Sequence, residues 1–454
     1  MLFRSPRFGR VAVVGYDLSV ADADDPETYW RNLLDKRIST REVPAARWEE
    51  RGVAESAGAS SMRHAALLER VDAFDAGFWD LPEAAAREMD PQERLLLRSI
   101  WRCAEHAGYA MKDLTRQRVG LFLALDSTDY QSLVRSSGTA SGSAPLSTGM
   151  IANQISYLCN FKGPSEAIDT ACASTYVALR RAAQALAWGE CDVAVVGGAK
   201  VLLDPAGFAG REEGEILGSG PCMYPFDTRA AGYIRGEGVG CVMLKGLDAA
   251  RRDGDRVHGV VAGIGVTHNG RGGLSQVAPS VEGQALAIAE AYRSGGIAPE
   301  TVHYIEAHGT SNSFSDASEI AAFKQFFKQA LPAEDYARRP ITVSTVKANI
   351  GHLEGASGIA ALVKGLCALR DGRIAPIATW SQVHPSILLA RSPFRFPADT
   401  QAWPRPPADA AGRPVPRRMG LHSIGIGGVN AHVILEEGED RKSTRLNSRH
   451  TDIS

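Results

Sequence analysis

Residues 166–197 read EAIDTACASTYVALRRAAQALAWGECDVAVVG, and the apolar period changes twice within them. Glu166–Thr170 is strand-like, Ser174–Trp188 is an Ala-rich helix closed by Gly189, and Asp192–Gly197 is an apolar run suited to a strand buried on both faces. Strand, crossover helix and second strand within about thirty residues form one βαβ unit, which predicts an α/β chain. Working outward, the plan recurs: Ile341–Val346 reads as a strand, ANIGHLEG as a polar loop, and Ile359–Leu369 as a helix closed by Gly372. Two stretches on one plan predict two similar halves that divide near Gly246–Val257.

Ahead of the quoted unit, Val11–Gly15 reads as a buried strand and Pro26–Leu34 as a helix. Pro91–Tyr109 reads as a core helix, with Leu95, Leu96, Ile100, Trp101 and Ala104 on one face and Gly108 at its end. Near the C-terminus, prolines at 404, 406, 407, 414 and 416 mark Arg395–Arg418 as a surface excursion. Met419–Glu437 then joins a Gly-rich turn to an apolar run, and the apolar pattern stops after Glu437.

The chain has 454 residues, 44% hydrophobic and 22% charged, an ordinary globular mixture that excludes disordered, collagen-like and disulfide-scaffold classes. Fifty Lys and Arg against fifty-two Asp and Glu leave a net charge of −2, so no long-range field is available for nucleic acid or an anionic membrane. Seven cysteines, odd in number, widely spaced and without a CxxC pair, fit a reducing cytosol better than a disulfide framework or a zinc site. No apolar run approaches the ~18–20 residues that span a bilayer, and the N-terminus has no h-region. The sequence reads as a cytoplasmic protein.

Cys172 falls between the predicted strand and helix of the quoted unit, where orphan N–H groups and the helix dipole favour a thiolate. Its small neighbours Ala171, Ala173 and Ser174 leave room for a substrate, whereas Cys103, Cys159, Cys191, Cys241 and Cys367 fit buried packing. His308 follows the strand-like VHYIEA and His352 follows the strand ITVSTV, so both lie just past strand ends, where α/β sites gather. The remaining histidines read as ordinary core or surface residues. Lys347 is five residues before His352, close enough to set a cation beside it. No HExxH, GxGxxG unit, Walker lysine or GxSxG elbow occurs, so neither a metal nor a nucleotide cofactor is expected. Backbone N–H groups near Ile426, in the Gly-rich turn, suit an oxyanion.

Four motifs in this order, DTACAS at Cys172, EAHGT at His308, KANIGH at Lys347 and His352, and GIGGVNAHVILEE near the end, resemble the β-ketoacyl synthases of the thiolase superfamily. FDAGFWDLPEAAAREMDPQERLLL and PFDTRAAGYIRGEGVG are similar to ketosynthase domains of modular type I polyketide synthases, and HLEGASGIAALVK leans toward lines served by a trans-acting acyltransferase. The resemblance implies a five-layered α-β-α-β-α thiolase-like fold of two halves, residues 6–250 and 251–437, in a homodimer. It implies acylation of Cys172 by a chain on the phosphopantetheine arm of an acyl carrier protein. Decarboxylative condensation with a malonyl-type extender would follow, assisted by His308, His352 and Lys347. Cys172 and Ile426 would form the oxyanion hole, and Thr310, Asn312, Gly427, Gly428 and Asn430 would contact substrate. No cofactor would be bound by the domain itself, and carrier and processing domains of a polyketide synthase would flank it.

The chain departs from the family pattern where HGTGT and GDP become HGTSNSFSDASE, with Ser311, Asn312 and Ala317 replacing Gly, Thr and Pro, and where Ile426 replaces a gating Phe. These departures leave open a non-elongating acyl-transfer domain or, more distantly, a silent dimerisation and carrier-docking scaffold. The opening MLFRS and the tail RKSTRLNSRHTDIS resemble translated library adapter, and residues 438–454 read as a non-native or disordered tail.

Overall fold

The structure, a computed structural model, describes residues 9–438 apart from 45–46, 48–63, 127–128, 131–133, 135–146, 204–215, 219 and 409–411. The predicted adapter-like termini therefore lie outside the described residues, and of the tail at 438–454 only Gly438 is described.

Ten strands carry the architecture: β1 (Val11–Val20), β2 (Val119–Ala124), β3 (Ser165–Ile168), β4 (Val193–Lys200), β5 (Gly238–Gly246), β6 (Gly259–His268), β7 (Tyr304–Glu306), β8 (Ile341–Ser344), β9 (Arg418–Ile424) and β10 (Val429–Glu437). The helices that cover them are α1 (Pro26–Leu34), α2 (Pro91–His106), α3 (Ser174–Ala187), α4 (Val281–Gly295), α5 (Ser313–Ala330) and α6 (Ser357–Asp371). The first half orders its strands β3-β2-β4-β5-β1, and the second β8-β7-β9-β10-β6, with a short edge strand Phe394–Arg395 beyond β8. Numbered within each half, both orders are 3-2-4-5-1. The senses repeat as well: β3, β2 and β4 are parallel, as are β8, β7 and β9, while β5 and β10 each run antiparallel to both neighbours. The duplication is thus explicit in topology, and the halves meet where Val11, Ala12 and Val13 pair with Val261, Val260 and Gly259.

Strand alternation builds the layers. In β1, Val11 and Val13 face a central core while Ala12 and Val14 face an outer one; in β4, Ala194 and Val196 face inward while Val193 and Val195 face outward. The central core holds α3 and α6, which touch strands of both halves. Leu95, Leu96 and Ile100 of α2 fill one outer core, and Ile288 of α4 with Phe323 and Phe327 of α5 fill the other. The result is α-β-α-β-α, the expected five layers. Among the described residues no helix is long and apolar enough to cross a membrane.

Local chemistry accounts for the element ends. α1 begins at Asp25, whose carboxylate accepts the N–H groups of Glu27 and Thr28 at 2.9 and 2.8 Å, and Pro26 occupies the first helical position. α6 ends at Gly372, in the left-handed conformation at φ +62°. Two expectations change. ANIGHLEG is not a polar loop: Lys347–Ile350 closes as a helical turn, and residues 347–369 are all buried. Part of its polar character is met by distant backbone, with Asn349 Nδ2 donating to the Arg37 carbonyl at 2.9 Å and the Ser39 N–H donating to the Asn349 carbonyl at 2.7 Å. Trp101 is half-buried rather than in the core, and meets Phe78 and Trp79 edge to face with centroids 4.7 and 5.9 Å away.

His432 in β10 is fully buried, and its Nδ1 lies 3.2 Å from His422 Nδ1. Burial pushes its imidazole down to about 3. A histidine depressed in the folded state binds its proton first in the unfolded chain, so stability is lost as pH falls below ~6.5. The expected loss from this one residue is roughly 1.4 kcal/mol per pH unit until the folded-state value is reached. Denaturant midpoints measured against pH should show a shallower acid decline in His432→Asn than in the parent; an equal decline would remove this residue from the account.

Candidate active site

The turn between β3 and α3 is held by its own side chains. Ala171 takes the left-handed conformation at φ +52°, with its N–H donating to the Asp169 carboxylate at 2.9 Å. Ser174 Oγ accepts the Thr170 N–H at 2.8 Å and donates to the Ala171 carbonyl at 2.6 Å. This raises Cys172, partly exposed, directly before the cap residue Ala173, which makes no side-chain capping bond. The positive end of the α3 dipole therefore lies beside the thiol, while the N–H groups of Ser174 and Tyr176 donate to the Ala171 and Ala173 carbonyls at 3.0 and 3.1 Å. Cys103, Cys159, Cys191, Cys241 and Cys367 are buried as expected; burial pushes Cys191 up to about 11 and Cys159 and Cys367 to about 12, so they are inert thiols.

The β9–β10 turn closes over this elbow. Ser423 Oγ donates to the Cys172 carbonyl at 2.7 Å, and a Cβ on Gly425 would lie 2.5 Å from the Thr170 carbonyl, so only glycine permits the approach. The Ile426 N–H has no partner among the described residues, and Ile426, 43% exposed, lines the cleft.

His308 and His352 come from the second half, past the ends of β7 and β8. By strand order His352 is the counterpart of Cys172, since each lies between the third strand of its half and a central helix. One ligand atom from each of Cys172, His308 and His352 falls within 4.8 Å of the others, and the two rings meet edge to face at 5.4 Å. His308 is 4% exposed, and burial, reinforced by Lys347 and His352, holds its imidazole well below the ordinary value and so neutral. His352 Nδ1 accepts the Glu354 N–H at 3.1 Å and lies 2.7 Å from Ser357 Oγ, which leaves the proton of a neutral ring on Nε2.

These groups line a cleft of about 320 Å³ with Ala171, Ile216, Tyr233, Val277, Phe314 and Ile426 as apolar walls. Thr310 and Asn312 line it too. Lys347 does not: it is 5% exposed behind His308 and donates to the His308 carbonyl. Burial lowers its ammonium against the opposing pull of Glu319. Gly427, Gly428 and Asn430 do not line it either, Gly427 because it is exposed outside the cleft. Gly427 offers its carbonyl to His268 Nε2 at 2.9 Å, Gly428 takes φ +91°, and Asn430, fully buried, donates to Asn269 at 2.7 Å.

Sequence reasoning missed the carboxyls beneath the histidine loop. Asp316 accepts the N–H groups of Thr310 and Phe226 at 3.0 and 2.7 Å, and Glu319 those of His308 and Gly309 at 2.6 and 2.9 Å. Burial pushes Asp316 up to about 7 and Glu319 to about 8, against those four donors. Their spacing, i and i+3 in the opening turns of α5 just after EAHGT, was a readable signal. Asp126, Lys200, Arg235 and Glu354, which form a buried ionic cluster under His352, come from four separate segments and left no such signal.

The departures at 311 and 312 have local roles. Ser311 takes φ +62°, the region glycine enters freely, and its hydroxyl accepts the Tyr224 N–H at 2.9 Å. Asn312 caps α5, accepting the Ser315 N–H at 3.0 Å. Thr also caps, so Asn312→Thr is expected to change stability by less than ~0.5 kcal/mol while Asn312→Ala costs about 1 kcal/mol. Unfolding curves check this, and equal losses in both would deny the capping role.

The sequence profile described as Beta-ketoacyl synthase, N-terminal domain, matches residues 9–250, and that described as Beta-ketoacyl synthase, C-terminal domain, matches 258–380. The chain is 39% identical over 430 residues to polyketide synthase ThaG of Burkholderia thailandensis, covering 94% of this chain and 8% of that protein. It is 37% identical over 432 residues to polyketide synthase PksR of Bacillus subtilis, covering 94% of this chain and 16% of that protein. Among solved structures it is similar to the oxazolomycin ketosynthase domain OzmH KS7 of Streptomyces albus JA3453, at TM-score 0.88 and 34% identity over 94% of this chain and 74% of that one. The ketosynthase from module 6 of the bacillaene synthase of Bacillus subtilis 168 gives TM-score 0.85 and 29% identity over 95% and 72%.

Proposed function

The chain belongs to the β-ketoacyl synthase family, as a ketosynthase domain of the polyketide synthase kind, and from that premise we propose how its own residues carry the condensation. The observation that supports the reading is the convergence of Cys172, His308 and His352 within 4.8 Å at the N-terminus of α3.

The Cys172 thiolate attacks the carbonyl carbon of an acyl thioester carried on the phosphopantetheine of an acyl carrier protein. A bond from Sγ to the acyl carbon forms, the bond to the pantetheine sulfur breaks, and that sulfur leaves as a thiolate that takes a proton. The N–H groups of Cys172 and Ile426 hold the oxyanion. A malonyl-type thioester then enters. Its carboxylate departs as CO₂, and the bonding pair passes into an enolate whose oxygen accepts hydrogen bonds from His308 and His352. The enolate carbon attacks the acyl carbon, Cys172 leaves as a thiolate, and the product is a β-ketoacyl chain two carbons longer on the carrier. Lys347, with Asp316 and Glu319, holds the His308 loop, while Thr310 and Asn312 flank the arm.

Residues 6–250 and 251–437 are proposed as the two halves of the domain, acting in a homodimer in the cytoplasm with further polyketide synthase domains beside it. Incubating the protein with acyl and malonyl carrier protein tests the reading. Acylation, CO₂ release and an elongated chain are all expected. Acylation without CO₂ would favour the transfer-only domain, and no acylation would favour the scaffold.

A further inference from the structure

The cleft floor carries charges that the condensation does not use. Lys200, 1% exposed at the end of β4, sets its ammonium 2.8 Å from Asp126 Oδ1 and 2.7 Å from Glu354 Oε2. Arg235, equally buried, meets Glu354 from the other side through Nε at 3.0 Å and Nη2 at 3.1 Å. Two carboxylates and two cations balance, which is what allows such a cluster to be buried. Asp126 Oδ2 also accepts the Gly355 N–H at 2.9 Å. The segment held in this way is the loop that carries His352. Glu354 stands in the left-handed conformation at φ +49°, and in that conformation its N–H turns back onto His352 Nδ1. A ring nitrogen that accepts an N–H cannot also carry a proton, so the loop geometry selects the ring's tautomer.

We infer that Asp126 and Lys200 are positioning residues for His352, clamping Gly355 and Glu354 so that His352 presents Nε2–H to the cleft. The inference rests on the proposed role of His352 in condensation. Protonating Nδ1 would set it against the Glu354 N–H, so condensation should have an acid limb governed by His352. The charged and titratable groups around that ring are Glu354, Arg235, Lys200 and Asp126 below it, Tyr233 at 4.8 Å, and His308 and Cys172 across the cleft, with Lys347 behind His308.

The test follows condensation by the full chain against pH, with acyl and malonyl groups on carrier protein and acylation of Cys172 measured in parallel. Asp126→Asn keeps an oxygen for the Gly355 N–H but removes a negative charge. Its acid limb is expected to move down by roughly one pH unit, the effect of a charge within about 10 Å at an effective dielectric near ~20. Lys200→Gln removes a positive charge and should move the limb up by a similar amount, and the double variant should return it close to the parent. Limbs that stay in place, or that move the same way in both single variants, overturn the inference. Where Lys200→Gln does not fold, Asp126→Asn and the double variant decide, and a downward shift that the second change fails to reverse also overturns it. His352→Ala separates the two levels: condensation at the parent rate would remove the underlying reading, whereas its loss together with unmoved limbs would remove only the positioning role.

Discussion

Cys172→Ala is expected to abolish acyl loading, by a factor of about 10³ or more, while the protein stays folded. The side chain is partly exposed at a turn that Ser174, Asp169 and Ser423 hold through their own hydrogen bonds, none of which uses the sulfur. Removing one sulfur there costs stability of at most about 1 kcal/mol. Mass spectrometry after incubation with an acyl thioester reads the loading, and thermal unfolding reads the fold. Cys222 is the other partly exposed thiol and serves as the control. A Cys172→Ala protein that still loads, with the acyl group on Cys222, would place the nucleophile elsewhere.

His308→Ala and His352→Ala should each slow condensation by about 10²–10⁴ while acylation falls far less. The separation follows from geometry. The helix dipole that favours a thiolate belongs to α3 in the first half of the chain, and both imidazoles belong to the second. His308 is held neutral by burial, so it adds no limb of its own near its ordinary value. Rapid-quench measurement of the acyl-enzyme and of CO₂ distinguishes the steps. An equal loss of both steps in both variants would make the histidines general bases for the cysteine instead.

The convergence of Cys172, His308 and His352 was legible because each follows a strand end, and a strand end in an α/β sheet is a fixed place in space. Strand periodicity predicted the layers for the same local reason: neighbouring residues of β1 and β4 face different cores. Lys347 was legible as a neighbour of His352, but not as a group behind His308, because its contact is with a backbone carbonyl thirty-nine residues away. Polarity misled at ANIGHLEG. That segment is buried because its hydrogen bonds close onto Arg37 and Ser39, more than three hundred residues distant, and onto the Asp126, Lys200, Arg235 and Glu354 cluster. Interactions of that span leave no periodicity in the sequence. Asn312 was readable as a polar group facing substrate, yet its side-chain oxygen is engaged by the helix it begins.

The central core has a bearing on synthesis of the chain at the ribosome. α3 is covered on one side by the sheet of its own half, and on the other it reaches β6 and β10 of the second half, with α6 beside it. When residue 246 has just been made, the inward face of the first half therefore has no cover. Ala178, Leu179, Ala182 and Ala183 of α3 wait on α6 and β10, whose residues emerge some hundred or more positions later. At about 5–20 residues per second that is an interval of many seconds with an apolar surface open to other chains. The same shared core leaves neither half able to bury its inner face alone, so the Cys172 thiol and the imidazoles of His308 and His352 come together only when translation of the domain is nearly complete.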